Sequence, residues 1–527
     1  MNPVRLEVYR HLFTALAEEM GGALRRAAYS PNIKERRDYS CALFDGAGRV
    51  VAMGDHMPVH LGAMPMSVGA VLDALGELSP GDVAVVNDPF AGGTHLPDIT
   101  VVSAVGIGAA TAWRCLGYLA VRAHHADVGG MAPGSMPLAR EIYQEGLRIP
   151  PVLLVRGGVR EAGLWQVLLA NVRTPVERQG DLEAQLAALS VGAMRLLDLV
   201  GRRGVAEVET AMDALIVYAD RLVRSGLRLV PDGVYAAEDV LDDDGFGNGP
   251  LRIRATLRIS GDEMEADFTG TSPQTEGGVN AVAAITSSCV RYVTRCVVEA
   301  LLGETLPAGG GEMSAVRLVV PVRSLVSAES PSSVAAGNVE TSQRIADVLL
   351  LAFGKALPEL VPAQSQGTMN NVAMGGIDVR TGEPFAYYET MAGGMGASAA
   401  GPGLSGVHVH MTNSLNTPVE ALEHAYPLRV LHYGLRRGSG GAGRFSGGEG
   451  VRRDLELLAP ATVSLLTERR TSRPAGAQGG GPAAAGENIL VRDGVERVLP
   501  AKTTFDARAG DVISIRSPGG GGWGPVE

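Results

Sequence analysis

The chain has 527 residues, which is too long for one hydrophobic core and indicates about three domains at the usual ~100–200 residues each. Apolar residues make up 46% and charged residues 20% of the chain, a composition that excludes a largely disordered protein. The net charge is −11 and no run of basic residues occurs, which excludes binding to a nucleic-acid backbone.

The sequence contains no targeting or membrane signal. Charges interrupt every apolar run in the opening stretch MNPVRLEVYRHLF, and the weakly polar run from Thr100 to Trp113 is shorter than the ~20 residues that cross a bilayer. The four cysteines are scattered without a CxxC pair, so neither a zinc ribbon nor a disulfide framework is indicated. We therefore expect a cytoplasmic protein with reduced thiols and no membrane partner.

The first elements are a helix, a hairpin and a loop. Apolar residues at helical spacing predict an amphipathic helix over residues 6–29, and the following strand–turn–strand pattern places Asp38 at the start of a strand. From the residues alone, Asp38 is interpreted as a surface carboxylate paired with a neighbouring arginine. The Pro-, Gly- and Met-rich stretch 56–66 predicts a loop, with His60 more often a hydrogen-bonded loop histidine than a ligand, followed by a short helix over 67–75.

Most of the chemically active side chains lie between Asn87 and Gly130. A buried-type strand ends at Asn87 and Asp88, and the tight loop FAGGTHLPD then carries His95 and Asp98. A predicted hairpin follows and ends in HHADVGG. Adjacent residues on a strand point to opposite faces, so His124 and His125 cannot both turn the same way. If His124 is a ligand, His125 and Asp127 form a supporting pair behind it.

The rest of the chain alternates helices with β structure. We predict helices over 181–200, 205–227 and 280–302 and a β-meander over 233–268. A further helix is predicted from GNVETSQR. The polar residues at its start could bind an anion, or Asn338 or Thr341 could simply cap the helix. The terminal PGGGGWG suits a turn or a partner contact. The predicted fold is therefore multidomain α+β, with mixed sheets, packed helices and a β-rich C-terminal region, divided as 1–180, 181–330 and 331–527.

The clustered histidines and aspartates indicate a metal site. Imidazole nitrogen and carboxylate oxygen hold Zn, Mn or Fe in open catalytic sites, and a set without cysteine suits Mn or Zn, with Fe not separable from them. Such a centre lowers the pKa of bound water to ~7 or polarises a carbonyl, which leads to hydrolysis or carboxyl transfer. No GxxxxGK[ST] motif is present and no dinucleotide fingerprint is supported, so the chain has no P-loop.

The segments ERRDYSCALFD, HMPVHLGAMPMSV, NDPFAGGTHLPDIT, HHADVGGMAPGSMP, DFTGTSP, GNVETSQR and SPGGGGWGP together resemble the hydantoinase B/5-oxoprolinase family. The resemblance covers nearly the whole chain. It implies a partner, an A-type subunit with an actin-like ATPase fold that binds ATP and phosphorylates the substrate oxygen, in a hetero-oligomer such as a dimer of heterodimers. It also implies the metal ligands Asp38, His95, Asp98 and His124. His125 and Asp127 are then expected to handle protons as catalytic residues, or to serve as fallback ligands.

The function expected from this resemblance is ATP-dependent hydrolysis of a cyclic amide such as hydantoin, 5-oxoproline or a lactam. In this hypothesis, water activated by a divalent metal attacks a carbonyl that the partner has phosphorylated. Two alternatives stay open at this point: a subunit of an ATP-dependent ketone carboxylase, and a non-catalytic scaffold for the ATPase partner.

Overall fold

The computed structural model describes residues 1–54, 56–108, 112–307 and 309–526. Its helices pack against mixed and antiparallel sheets, which confirms the predicted multidomain α+β class. The ten α-helices of the described chain, α1 to α10 in order, are Pro3–Ala27, Pro31–Lys34, His60–Leu75, Ile142–Glu145, Ala162–Ala170, Pro175–Arg203, Val205–Leu227, Ala283–Leu302, Ser342–Ala356 and Val419–Ala425. The division into three domains stays a prediction.

A seven-stranded antiparallel sheet organises the N-terminal part. Its strands β1 to β7 are Tyr39–Asp45, Val50–Met53, Val83–Val86, Asp98–Ile107, Arg114–His124, Val152–Arg156 and Val159–Arg160, in the spatial order β2-β1-β5-β4-β3-β6-β7. Strands β4 and β5 form the predicted hairpin, and residues 109–111 between them lie outside the described residues. Helices α1 and α6 cover one face of the sheet and α3 covers the other, because both faces of the central strands are apolar.

The prediction of a loop over residues 56–66 is wrong for residues 60–66, because α3 begins at His60. Pro65 lies inside this helix and cannot donate to the carbonyl of Leu61. That carbonyl accepts a hydrogen bond from Arg291 instead (2.9 Å), and the N–H groups of Gly62 and Ala63 donate to Ser288 (3.0 Å each). Both partners come from α8, so tertiary contacts replace the bonds that the local sequence cannot form.

The middle of the chain forms a second sheet. Strands β8 to β11 are Gly233–Leu241, Leu251–Ser260, Glu263–Asp267 and Val316–Val319. The first three are antiparallel neighbours, which confirms the predicted β-meander, and β11 adds parallel to β10. Helix α9 packs on β8 and β9 and begins after a π-helical turn, Gly337–Thr341.

The C-terminal part contains two further sheets with a shared apolar core. Strands β12 to β20 are Asn371–Ile377, Pro384–Glu389, Leu428–Arg436, Gly450–Leu457, Ala461–Leu466, Glu487–Arg492, Val495–Leu499, Lys502–Ala507 and Val512–Arg516. One sheet has the order β13-β12-β16-β19 and the other β14-β15-β20-β17-β18. Val463 and Leu465 of the first sheet and Leu455, Ile513 and Ile515 of the second belong to the same core.

Four glycine-rich segments, 393–403, 439–448, 475–481 and 518–524, pack backbone against backbone; we call them the glycine layer. Gly441 donates to the carbonyl of Gly520 (2.9 Å), Gly520 to Gly448 (2.9 Å) and Gly522 to Gly481 (3.0 Å). A Cβ atom on most of these glycines would overlap a backbone atom of another segment. Residues 517–524 are buried within the chain, which contradicts the partner contact predicted for the terminal glycines.

Among the described helices, α6 is long and apolar enough to cross a bilayer by length and composition alone. Buried helices of large proteins pass the same test. The Gln185 amide on α6 donates to the carbonyls of Ile99 and Val121 on the sheet, and Asp181 accepts the backbone N–H groups of Tyr29 and Ser30. These contacts pack one side of α6 against the sheet beside α1.

Candidate metal centre

Three of the four predicted ligands lie in a row across the ends of adjacent strands. Asp98 opens β4 and His124 ends β5, and the register of the hairpin places these two residues directly opposite each other. Asp38 precedes β1 on the other side of β5, and its carbonyl accepts the backbone N–H of His124 (3.0 Å). Residues opposite each other on neighbouring strands project to the same face, so this register brings both carboxylates and the imidazole to one side of the sheet.

The loop before β4 supplies His95. Gly92 adopts a φ of 78°, and a side chain at this position would overlap the backbone of Met66. Asn87 fixes the loop from within by donating to the carbonyl of Leu96 (2.8 Å) and accepting the N–H of Ile149 (2.6 Å). This tight turn allows His95 and Asp98, three residues apart, to converge.

His95, Asp98 and His124 each offer one ligand atom, and these three atoms lie within 4.8 Å of one another. All three side chains are buried, with 0%, 1% and 2% of their residue surfaces exposed. Asp98 Oδ1 and His124 Nε2 have no hydrogen-bond partner in the described structure. Buried polar atoms are rarely left unpaired, and two imidazoles with a carboxylate suit a divalent transition metal, so these residues fit the predicted ion.

Two further side chains enter the same space. His60 Nε2 lies 3.4 Å from Asp98 Oδ2, while its Nδ1 pairs with the hydroxyl of Ser40 (2.9 Å). Asn338, on the π-helical turn, places its amide nitrogen 3.0 Å from His95 Nε2 and 3.4 Å from Asp98 Oδ2. The interpretation of Asn338 as a simple helix cap is therefore wrong, because its side chain points into the centre.

Electrostatics keep the central carboxylate ionised. Burial by itself would raise the pKa of Asp98, but the imidazoles of His95 and His60 hold that pKa well below its usual value. Burial likewise opposes protonation of His95, yet the neighbouring Asp98 raises the pKa of His95. Burial and the charge of His95 lower the pKa of His124, which keeps this imidazole neutral, the form that binds metal.

Asp38 lies at the edge of the centre. It is buried, so its interpretation as a surface carboxylate is wrong, and burial raises its pKa to about 6. Its nearest cation is Arg36, at 3.7 Å. Arg37 between them has a φ of 57°, a left-handed conformation that is rare outside glycine. Among the described residues, Asp38 falls outside the group whose ligand atoms lie within 4.8 Å of one another, so its role as a ligand stays a prediction.

His125 and Asp127 have partners away from this group. The Nε2 atom of His125 contacts the Gln185 amide oxygen on α6 (2.9 Å). Asp127 accepts the backbone N–H groups of Gly129, Gly134 and Arg173 and pairs with the Arg173 guanidinium (2.9 Å). Such contacts are typical of residues that stabilise the fold. The catalytic role expected for His125 and Asp127 stays a prediction. Their neighbours thus favour His124 over His125 as the ligand.

The sequence alone assigned no part in the centre to Asn32, Tyr388 or Asn338. Asn32 Nδ2 lies 3.3 Å from His124 Nδ1, and the Tyr388 ring stacks on the His124 ring. They come from segments far from the hairpin in sequence. Of the three, Asn338 had a local signal, because it lies in a cluster of polar residues at a helix start.

The whole chain matches one protein family. A sequence model described as hydantoinase B/oxoprolinase matches residues 2–526. An uncharacterised protein of Methanocaldococcus jannaschii is 38% identical over 533 residues, which cover 100% of this chain and 92% of that protein. The 5-oxoprolinase 1 of Arabidopsis thaliana is 38% identical over 550 residues, covering 99% of this chain but 42% of the plant protein. The chain thus spans less than half the length of that relative.

Solved structures share the fold. The ATP-dependent caprolactamase from Pseudomonas jessenii superimposes with a TM-score of 0.91 at 30% identity, covering 100% of this chain and 91% of that chain. A nucleotide-free acetone carboxylase superimposes with a TM-score of 0.89, covering 99% of this chain and 76% of that chain. At 17% identity, the second similarity concerns the fold alone.

Proposed function

Because the chain belongs to the hydantoinase B/oxoprolinase family, as its motifs predicted, we propose that it hydrolyses a cyclic amide in an ATP-dependent reaction at the His95, Asp98 and His124 centre. The observation that carries the proposal is this buried set of two imidazoles and a carboxylate, in which Asp98 Oδ1 and His124 Nε2 have no hydrogen-bond partner among the described residues. The names of two relatives, a 5-oxoprolinase and an ATP-dependent caprolactamase, support a lactam as the substrate class.

The proposed reaction divides its work between two proteins. A cyclic amide resists water because resonance stabilises its C–N bond, so the carbonyl must first be activated. We assign ATP binding and that activation to an A-type ATPase partner. The chain described here then provides the hydrolytic site within a hetero-oligomer, and its expected cytoplasmic location stays a prediction.

The residues of the centre have separate tasks in this proposal. His95, Asp98 and His124 would hold a divalent ion, Mn or Zn with Fe as a further candidate, and Asp38 would be the fourth ligand. When bound, such an ion acts as a Lewis acid and lowers the pKa of water to ~7. Asn338 directs an amide into the same space, where it can orient a substrate oxygen. Burial of the whole group excludes bulk water, which strengthens each of these interactions.

The proposal is tested with the chain purified together with its A-type partner. We expect the wild-type complex to contain a divalent metal and to release ADP in the presence of a cyclic amide. The variant His95→Ala should lose both the metal and amide-dependent ADP release, measured by elemental analysis and by a coupled ADP assay.

Other outcomes identify the alternatives. A complex that binds no metal and keeps full turnover in His95→Ala would refute the metal-dependent site and favour the scaffold role. Retention of labelled bicarbonate carbon in the product of a ketone, without amide hydrolysis, would replace the proposal with the carboxylase.

A further inference from the structure

The two histidines of the centre are held in different ways. The Nδ1 atom of His95 pairs with the backbone carbonyl of Ala335 (3.2 Å), the kind of contact that orients metal-binding imidazoles in proteins. His124 has no such acceptor in the described structure. Its Nδ1 faces the amide nitrogen of Asn32, at 3.3 Å, which restricts rotation of the ring only weakly.

An aromatic ring provides the missing restraint. Tyr388 stacks on His124 with ring centroids 4.3 Å apart and planes inclined by 9°. The Arg36 guanidinium also lies over the tyrosine ring, 4.9 Å from its centroid. Both Tyr388 and His124 are almost completely buried, so the close parallel contact limits rotation of the imidazole about its side-chain bonds.

Tyr388 is itself firmly anchored. Its hydroxyl donates to the side-chain oxygen of Asn371 (2.7 Å). The Asn371 amide donates in turn to Glu340 (2.8 Å) and to the carbonyl of Leu466 (3.0 Å). Glu340 belongs to the same π-helical turn as Asn338, which contacts His95. One segment of the chain therefore connects the environments of both histidines.

We propose that Tyr388 is a positioning residue that sets the orientation of the His124 ring by stacking, and through it the geometry of the metal centre. The expected effect on metal affinity rests on the function proposed above. The orientation of His124 itself does not, because it exists without metal.

The test compares aromatic and non-aromatic replacements. Tyr388→Phe keeps the stack and loses the hydroxyl, whereas Tyr388→Leu and Tyr388→Met lose the ring. We expect Tyr388→Phe to bind Mn²⁺ or Zn²⁺ nearly as tightly as the wild type in chelator competition. The Leu and Met variants should bind ~10–100-fold more weakly, the usual range for partners that orient a ligand. In Co²⁺-loaded protein, their visible absorption spectra should change while that of the Phe variant does not.

Tyr387→Leu is the matched control, because Tyr387 lies on the same strand but packs in the C-terminal core against Tyr426 (5.2 Å between centroids). It should lower stability without altering metal affinity. An equal loss of affinity in Tyr388→Phe and Tyr388→Leu would overturn the proposal in favour of the hydroxyl. An equal loss in Tyr387→Leu would overturn it in favour of general destabilisation.

Metal-free crystal structures separate this proposal from the function. The His124 ring should keep its orientation in Tyr388→Phe and rotate in Tyr388→Leu or Tyr388→Met. An unrotated ring in the non-aromatic variants would overturn the positioning role even if the metal site is real. A wild type that binds no metal would instead overturn the proposed function, while a rotated ring would still support the role of Tyr388.

Discussion

The metal centre and the glycine layer are both buried contacts between distant segments, yet opposite features of the sequence build them. In the centre, His95, Asp98 and His124 converge through side chains that strands and a tight loop direct inward. In the glycine layer, Gly447, Gly520 and neighbouring glycines meet backbone against backbone, and a Cβ atom at these positions would overlap the facing segment. The first region therefore depends on which side chain is present, and the second depends on having none.

This difference predicts how each region responds to small substitutions. A changed ligand should alter binding while the fold survives. An added methyl group in the glycine layer should disturb the fold, because close-packed backbone cannot move aside.

The largest effect on stability is expected from Gly447→Ala. Its Cβ would overlap the carbonyl oxygen of Gly520, so the variant should lose about 3 kcal/mol or more of its free energy of unfolding. Urea unfolding of the metal-free protein measures this loss. Gly201→Ala is the matched control, because its Cβ position on α6 has no atom within 4 Å apart from its chain neighbours and the backbone of its own helix. It should gain ~0.5–1 kcal/mol from the lower chain entropy of alanine, and equal losses in the two variants would contradict the comparison.

Asp98→Asn should separate binding from folding. The variant keeps the shape of the Asp98 side chain and loses the negative charge that pairs with the imidazoles of His60 and His95. We expect metal affinity to fall more than ~100-fold, beyond the range for indirect partners, with a smaller change in metal-free stability. Asp88→Asn serves as the control, since Asp88 lies on the same loop but pairs with Arg148 (3.1 Å) outside the cluster. Comparable metal loss in the two variants would mean that any charge on the loop matters.

A smaller effect concerns pH and His125. Burial lowers the pKa of His125 to about 4, so between pH 6.5 and 4 the unfolded chain binds a proton that the folded protein does not. This residue should therefore make the metal-free protein less stable as the pH falls, by about 2 kcal/mol between pH 7 and pH 5. His125→Gln retains a donor for Gln185 and should show a correspondingly flatter profile in urea unfolding. An unchanged slope would show that His125 does not titrate in this way.

Much of the centre could be predicted because its parts are local. Two consecutive apolar runs predicted the β4–β5 hairpin. Strand parity required His124 and His125 to face opposite sides, as their contacts with Tyr388 and Gln185 show. The motifs also led to the correct family. The burial of Asp38 was missed because its charged neighbours indicate a surface. In the fold Lys34 and Arg37 are indeed exposed, but packing buries Arg36 and Asp38.

The sequence by itself determined the fold class, the family, the hairpin and the residues that supply nitrogen and oxygen ligands, since these follow from periodicity and residue type within short windows. Only the tertiary structure decided that α3 starts at His60 with help from α8, that the terminal glycines are buried, and that Asn338 and Tyr388 complete the centre. These features depend on contacts between segments hundreds of residues apart, and no local pattern records which distant backbone or ring will be the neighbour.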